Sequence, residues 1–264
     1  MMTTGNSPAF PAGDDWDAHW RSYGSSAEFN PAQAFRRNLI LKLIREQAPR
    51  ATRVLDIGSG QGDLAVDLRA HLPSSAILGL ELSATGVEIA REKVPEARFL
   101  QCDLLQQVNP HEDDRHWATA AVCSEVLEHV DDPAKLLRNA RAFLAPGCLL
   151  VVTVPGGPMS AFDRHIGHRR HYTPSGLRNL LQEAGFEVEF SAGAGFPFFN
   201  LYRLAVIARG RKLVERARSP TPARLTSMEW LALQFFRTLL PCTFTKGDWG
   251  WQIIASARES ATRE

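Results

Sequence analysis

Three glycines at alternate positions, Gly58, Gly60 and Gly62, lie between two carboxylates, Asp56 and Asp63, in the stretch VLDIGSGQGDLA. An apolar run ends at Asp56 and a helical pattern begins after the glycines, so the turn joins a strand to a helix. Without Cβ atoms the glycines accept positive φ, and a small molecule can lie against backbone N–H groups at the helix start. A dinucleotide-binding turn spaces its glycines G-x-G-x-x-G and seats a pyrophosphate there. Here the spacing is G-x-G-x-G and the flanking carboxylates concentrate negative charge. That arrangement is poor for phosphate and suits a ligand carrying an ammonium and a sulfonium.

A second group of reactive side chains follows. His129 sits in SEVLEHV, and FDRHIGHRRHYTPSGL (162–177) gathers His165, His168 and His171 with Arg164, Arg169 and Arg170. Imidazole titrates near neutrality, so His129, His165 and His168 are candidates for the base that would remove an acceptor's proton. Arg164, Arg169 and His171 suit contact with an anionic or hydroxyl-rich acceptor. Arg170 and Tyr172 are expected to serve the loop's own structure. Simple capping or turn roles compete for Asp56, Glu81 and Asp103.

These residues need a scaffold. Strand-like runs at 52–57, 76–82, 97–101, 117–123, 147–154 and 186–192 alternate with helical patterns at 61–71, 83–93, 132–145 and 174–184. Such alternation predicts an α/β fold, a doubly wound parallel sheet with Asp56, Glu81, Asp103 and Ser124 at the carboxyl ends of its strands. We expect a helical lid over 1–50, a ligand-binding core over 51–194, a helical insertion over 195–247 and a last strand with its tail over 248–264. Within the first segment, Phe35, Leu39, Ile40, Leu43 and Ile44 form a helical stripe.

The chain has 264 residues, 44% of them hydrophobic, and a formal charge of +1, enough for a full core and without the basic balance of a nucleic-acid binder. Cys102, Cys123, Cys148 and Cys242 share no C-x-x-C spacing and read as reduced. With no leader pattern in MMTTGNSPAF, a cytoplasmic protein is expected. The insertion holds two apolar helical stretches around a basic, Pro-containing loop, which suits a substrate cap, a homodimer contact or peripheral contact with the inner membrane face.

In order and spacing, the segments from about Val54 to Phe190 resemble class I S-adenosylmethionine-dependent methyltransferases, and AVCSEVLEHVDDP (121–133) is similar to the subgroup with ubiquinone-biosynthesis O-methyltransferases. The resemblance implies a Rossmann-like seven-stranded, mostly parallel sheet, with GWQIIASA (250–257) antiparallel between strands five and six. It implies S-adenosylmethionine as cofactor, with Glu81 and Leu82 at the ribose and Asp103 and Leu104 at the adenine. Asp56, Gly58, Ser59, Gly60, Gly62, Asp63, Ser124 and Glu125 would complete that site. Tyr23 and Arg36 would cover it from a lid.

O-Methylation of a small-molecule, glycan or lipid-linked hydroxyl is the expected activity. Small-RNA 3′-end methyltransferases have a similar E-x-x-E-H pattern, so a divalent metal on Glu125, Glu128 and His129 with His165 or His168 is a further expectation, and RNA 2′-O-methylation is the rival activity it carries. N-Methylation is a second rival, and a pseudoenzyme that binds the cofactor and serves as a partner module is a third.

Overall fold

The computed structural model describes residues 15–23, 30–210 and 226–260. Seven strands, β1 (Arg53–Ile57), β2 (Ala76–Glu81), β3 (Arg98–Gln101), β4 (Ala118–Ser124), β5 (Leu144–Pro155), β6 (Phe186–Ala194) and β7 (Gln252–Glu259), form one sheet in the order β3-β2-β1-β4-β5-β7-β6. β7 enters antiparallel between β5 and β6, as expected, and the pairs among β1 to β5 are parallel.

Both faces of the sheet are covered, which explains why its central strands are continuous apolar runs. In β1, Val54 joins a cluster on one face and Leu55 a cluster on the other. The first face is closed by α2 (Pro31–Gln47), α3 (Asp63–His71) and α4 (Ala84–Lys93), and the second by α5 (Pro133–Ala140) and α7 (Pro174–Glu183). Helix starts are fixed locally: the side chains of Ser83, Asp132 and Thr173 accept from the backbone N–H groups of Gly86, Lys135 and Gly176.

The segment expected as a lid divides in two. The apolar stripe of α2 (Phe35, Leu39, Ile40, Leu43 and Ile44) is buried in the sheet's own core. Only α1 (Trp16–Tyr23) lies against the glycine turn, held where Asp17 accepts from the Ser83 hydroxyl and the Thr85 N–H.

The insertion contributes α8 (Phe198–Ala208) and α9 (Ser227–Leu239), joined through an edge-on contact of the Tyr202 and Phe236 rings at 5.4 Å and an Arg209–Glu229 ion pair at 2.7 Å. The basic stretch at 211–225 lies outside the described residues. A short helix, α6 (Ala161–His165), follows β5 and was not expected. All four cysteines are free, with Cys123 and Cys148 buried. Among the described residues, no helix is long and apolar enough to cross a membrane.

Candidate active site

A cavity of about 650 Å³ opens beyond the carboxyl ends of β1, β2 and β4, where the strand order changes direction. Its floor is the glycine turn. Gly58, Gly60 and Gly62 have φ of +70°, +53° and +81°, the left-handed region closed to most side chains. The turn is tied to β2, because the N–H groups of Gly58 and Ser59 both donate to the Leu80 carbonyl. A Cβ at Gly58 would stand 2.3 Å from a Val126 methyl, and one at Gly60 2.7 Å from the Trp20 ring. Trp20 thus lies directly over the turn.

The acids differ in what they face. Asp56 is 3% exposed, its Oδ2 has no hydrogen-bond partner, and burial, with Glu81 and Asp63 nearby, pushes its pKa up to about 7. A buried carboxyl without a partner is costly unless a ligand supplies one. Glu81 is held by the N–H groups of Gly60 (2.8 Å) and Ser83 (2.9 Å), and burial raises its pKa against those bonds. Asp103 accepts from the Leu105 N–H, so the turn role is present, yet it lines the cavity with Leu104 and Leu82. Asp63 also lines the cavity but is engaged by Lys93 at 2.7 Å. Ser59 and Ser124 line it too, and Ser124 shares a hydrogen bond with Thr153.

Glu125 stands at the end of β4 with φ of +57°, rare for a residue with a side chain. This backbone turns its carboxylate toward Gln252 (2.9 Å) and Arg36 (3.5 Å). Glu128 is fully buried, and neither of its oxygens has a hydrogen-bond partner. The Nε2 atoms of His129 and His168 lie 3.9 and 4.0 Å from Glu128 Oε1.

Burial and the neighbouring charge of Glu125 drive the Glu128 carboxyl well above its usual range. Burial depresses His129 to about 4 and His168 to about 3. Three buried ligand groups, each forced toward neutrality and close to one another, are the donor set a divalent cation would satisfy.

Of the expected metal residues, Glu128 and His129 come together with His168 rather than His165. Among the described residues, neither Glu125 nor His165 is in a three-residue cluster of close metal-ligand atoms. The chain leaves α6 through Gly167 at φ +91°, and the Arg169 N–H then donates to the Glu128 carbonyl, so His168 comes back beside Glu128. Nor does His165 line the cavity.

The arginine expectations change as well. Arg169 pairs with Asp131 and Arg164 reaches the Ser160 carbonyl, neither lining the cavity. Arg170 bonds the Asp131 carbonyl and Tyr172 the Leu127 carbonyl, so both are structural, though not as a pair. His171 lies behind the site, between the Gly157 carbonyl and His168. Arg36 does line the cavity, while the side chain of Tyr23 lies outside the described residues.

Several lining residues were not anticipated. His19 on α1 joins Trp20, and Trp16 packs edge-on against His129 at 4.9 Å. On α8, Arg203 makes a two-pronged ion pair with Asp163 (2.8 and 3.1 Å). Burial raises Asp163, but this guanidinium outweighs it and holds the carboxyl below its usual range. The far wall is apolar: Phe199, Tyr202, Val206, Leu233 and Phe236. A lone arginine in the apolar run FFNLYRLAVIA was the available signal, because a charge in such a helix needs a buried partner.

A methyltransferase-domain family model matches residues 32–190. Trans-aconitate 2-methyltransferase of Variovorax paradoxus is 32% identical over 143 residues, 53% of this chain and 50% of that protein. Ubiquinone biosynthesis O-methyltransferase of Coxiella burnetii is 29% identical over 40% of this chain and 45% of its own length. The chain thus spans about half the length of the curated relatives it matches. Phosphoethanolamine N-methyltransferase 2 of Haemonchus contortus, solved with phosphomonomethylethanolamine and S-adenosylhomocysteine, has a similar fold (TM-score 0.60, 16% identity), covering 96% of this chain and 62% of that one.

Proposed function

The chain belongs to the methyltransferase-domain family, and from that premise we propose that it is an S-adenosylmethionine-dependent methyltransferase whose acceptor is a hydroxyl on a small or lipid-linked molecule. The observation that carries the donor assignment is the buried Asp56 carboxyl, its Oδ2 without a partner, beside Glu81 in a glycine cradle that a Cβ would fill. A cationic, hydroxyl-bearing ligand supplies what those acids lack. When bound, the donor supplies a methyl group already activated by positive sulfur.

The protein's work is positioning and exclusion of water. The glycine turn and Glu81 orient the donor, Trp20 covers the turn, and α8 and α9 enclose the acceptor. Removing the acceptor's proton is the harder task. A histidine depressed to about 4 is a weak base. A divalent cation held by Glu128, His129 and His168 would occupy that lone pair and would instead raise the acidity of the acceptor hydroxyl itself. Such a cation site favours a hydroxyl over an amine acceptor, which asks for a less demanding base.

Calorimetry with S-adenosylmethionine and S-adenosylhomocysteine tests the donor assignment. Binding by the wild type and its loss in Glu81→Ala is the expected result; heat with a nicotinamide dinucleotide and none with either compound overturns it. Adding chelator to a methyl-transfer assay on catechol and long-chain phenol acceptors then tests the metal.

A further inference from the structure

His168 meets a different neighbour with each ring nitrogen. Its Nε2 is 4.0 Å from Glu128 Oε1, and the His129 ring stands edge-on to it with centroids 4.7 Å apart. Its Nδ1 lies 3.2 Å from Nε2 of His171. A histidine binds a metal through a lone pair, so the nitrogen that carries the proton decides whether His168 can join Glu128 and His129 as a ligand.

The place of that proton follows from His171. Nδ1 of His171 lies 3.0 Å from the Gly157 carbonyl, which can only accept, so this nitrogen carries a proton. Its Nε2 is then the acceptor of a neutral ring, and the 3.2 Å contact calls for a proton on Nδ1 of His168. The lone pair of His168 is thereby left on Nε2, the side of Glu128. We propose that His171 is a positioning residue, which holds His168 in the tautomer whose Nε2 can bind a divalent cation beside Glu128 and His129. The cation rests on the proposed function; the tautomer does not.

Asp163, His168 and His171 also bring ligand atoms together, and a cation among them would compete for His168. Arg203 already supplies the positive charge there, one nitrogen to each oxygen of Asp163 at 2.8 and 3.1 Å, and the Ser160 N–H donates to Oδ2 at 2.7 Å. Asp163 stays 3.9 Å from Nε2 of His171, beyond hydrogen-bond reach. His171 itself is placed by the backbone. The next residue, Tyr172, donates its N–H to the Pro155 carbonyl and its hydroxyl to the Leu127 carbonyl. Gly157 has φ of +67°, and a Cβ on it would stand 2.6 Å from the Trp251 ring, so the carbonyl is presented by a turn that a side chain would disturb. His171 is not in the cavity wall and His168 is, so His171 acts through its neighbour.

The test reads the tautomer and the metal separately. Proton–nitrogen spectra of the metal-free full chain with isotope-labelled histidine, at pH 8 where imidazoles are ordinarily neutral, show which ring nitrogen carries the proton, and His168→Gln assigns the signals. The wild type is expected to carry it on Nδ1. His171→Leu is expected to lose that preference and to bind Mn²⁺ about 10–100-fold more weakly by calorimetry, while its metal-free melting curve stays cooperative, which shows that it remains folded. His171→Gln offers an amide oxygen in place of Nε2 and is expected to restore both. A wild-type proton on Nε2 overturns the proposal. So does a His171→Leu variant that keeps the tautomer or binds the cation as tightly as the wild type. A proton on Nδ1 in a wild type that binds no divalent cation upholds the tautomer and sinks the metal reading of the proposed function.

Discussion

Asp56→Asn isolates the electrostatic cost stored in the donor site. The substitution keeps the shape of the side chain and removes the charge. In the folded protein Asp56 titrates near 7, against 3.8 for the unperturbed group. Below pH 3.8 the aspartic acid is neutral whether folded or unfolded, and the group adds no pH dependence. As pH rises, the unfolded chain ionises first, so wild-type stability falls until pH passes 7. At 1.36 kcal/mol per pKa unit, the 3.8-to-7 shift amounts to about 4 kcal/mol at alkaline pH and about 2 kcal/mol at pH 5. Any pH-independent effect of the amide cancels between two pH values. Urea unfolding of both proteins at pH 5 and 8 should therefore show the wild type losing about 2–3 kcal/mol relative to the variant across that interval. A stability difference that is the same at both pH values refutes the reasoning. The donor adds a second reading: a cationic ligand favours ionised Asp56, so wild-type affinity should rise from pH 6 to 8, whereas the variant's should be weaker and flat.

Adding Mn²⁺ or Zn²⁺ to the wild type should raise its melting temperature, by about 2.7 kcal/mol of stabilisation at a hundredfold excess over Kd. Glu128→Gln should abolish that shift and His165→Gln should keep it; the reverse pattern would move the metal back to His165. Trp20→Ala removes the ring that lies over Gly60 and should weaken donor binding about tenfold, read by calorimetry, against a modest stability change. Gly58→Ala forces a Cβ into left-handed backbone and to 2.3 Å from a Val126 methyl, so it should cost about 2–4 kcal/mol in urea unfolding. Arg203→Met leaves the buried Asp163 unpaired and should cost about 3–5 kcal/mol. Asp163→Asn in the same background should recover part of that loss if the ion pair is the cause.

The gathering of the proposed donor residues at one end of the sheet was legible in sequence because it follows from strand order alone. Asp56, Glu81 and Asp103 each stand at or just past the carboxyl end of a strand, and adjacent parallel strands bring those ends together whatever the rest of the chain does. The histidine loop obeys no such rule. His165 and His168 differ by three positions, and which one meets Glu128 depends on Gly167 at φ +91° and on one backbone bond from Arg169, neither of which leaves a trace in residue spacing. Glu125 illustrates the same limit. Helical i, i+3, i+4 spacing would have put it beside Glu128 and His129, but its positive φ places it outside a regular helix and aims it at Gln252, 127 residues away.

The acceptor half was less legible still, because an apolar wall needs volume rather than particular letters. What positions that wall is a long-range pairing, Arg203 with Asp163 across 40 residues, and a lone charge in an apolar helix announces that a partner exists without saying which. The lid was legible only in part. Trp16 and Trp20 are one helical turn apart and both line the cavity from α1, whereas the residue expected there is Tyr23. It follows that acceptor specificity can drift through α8 and α9 while the donor turn stays fixed. Substitutions at Val206 or Leu233 should then change which acceptor is used and leave donor affinity untouched.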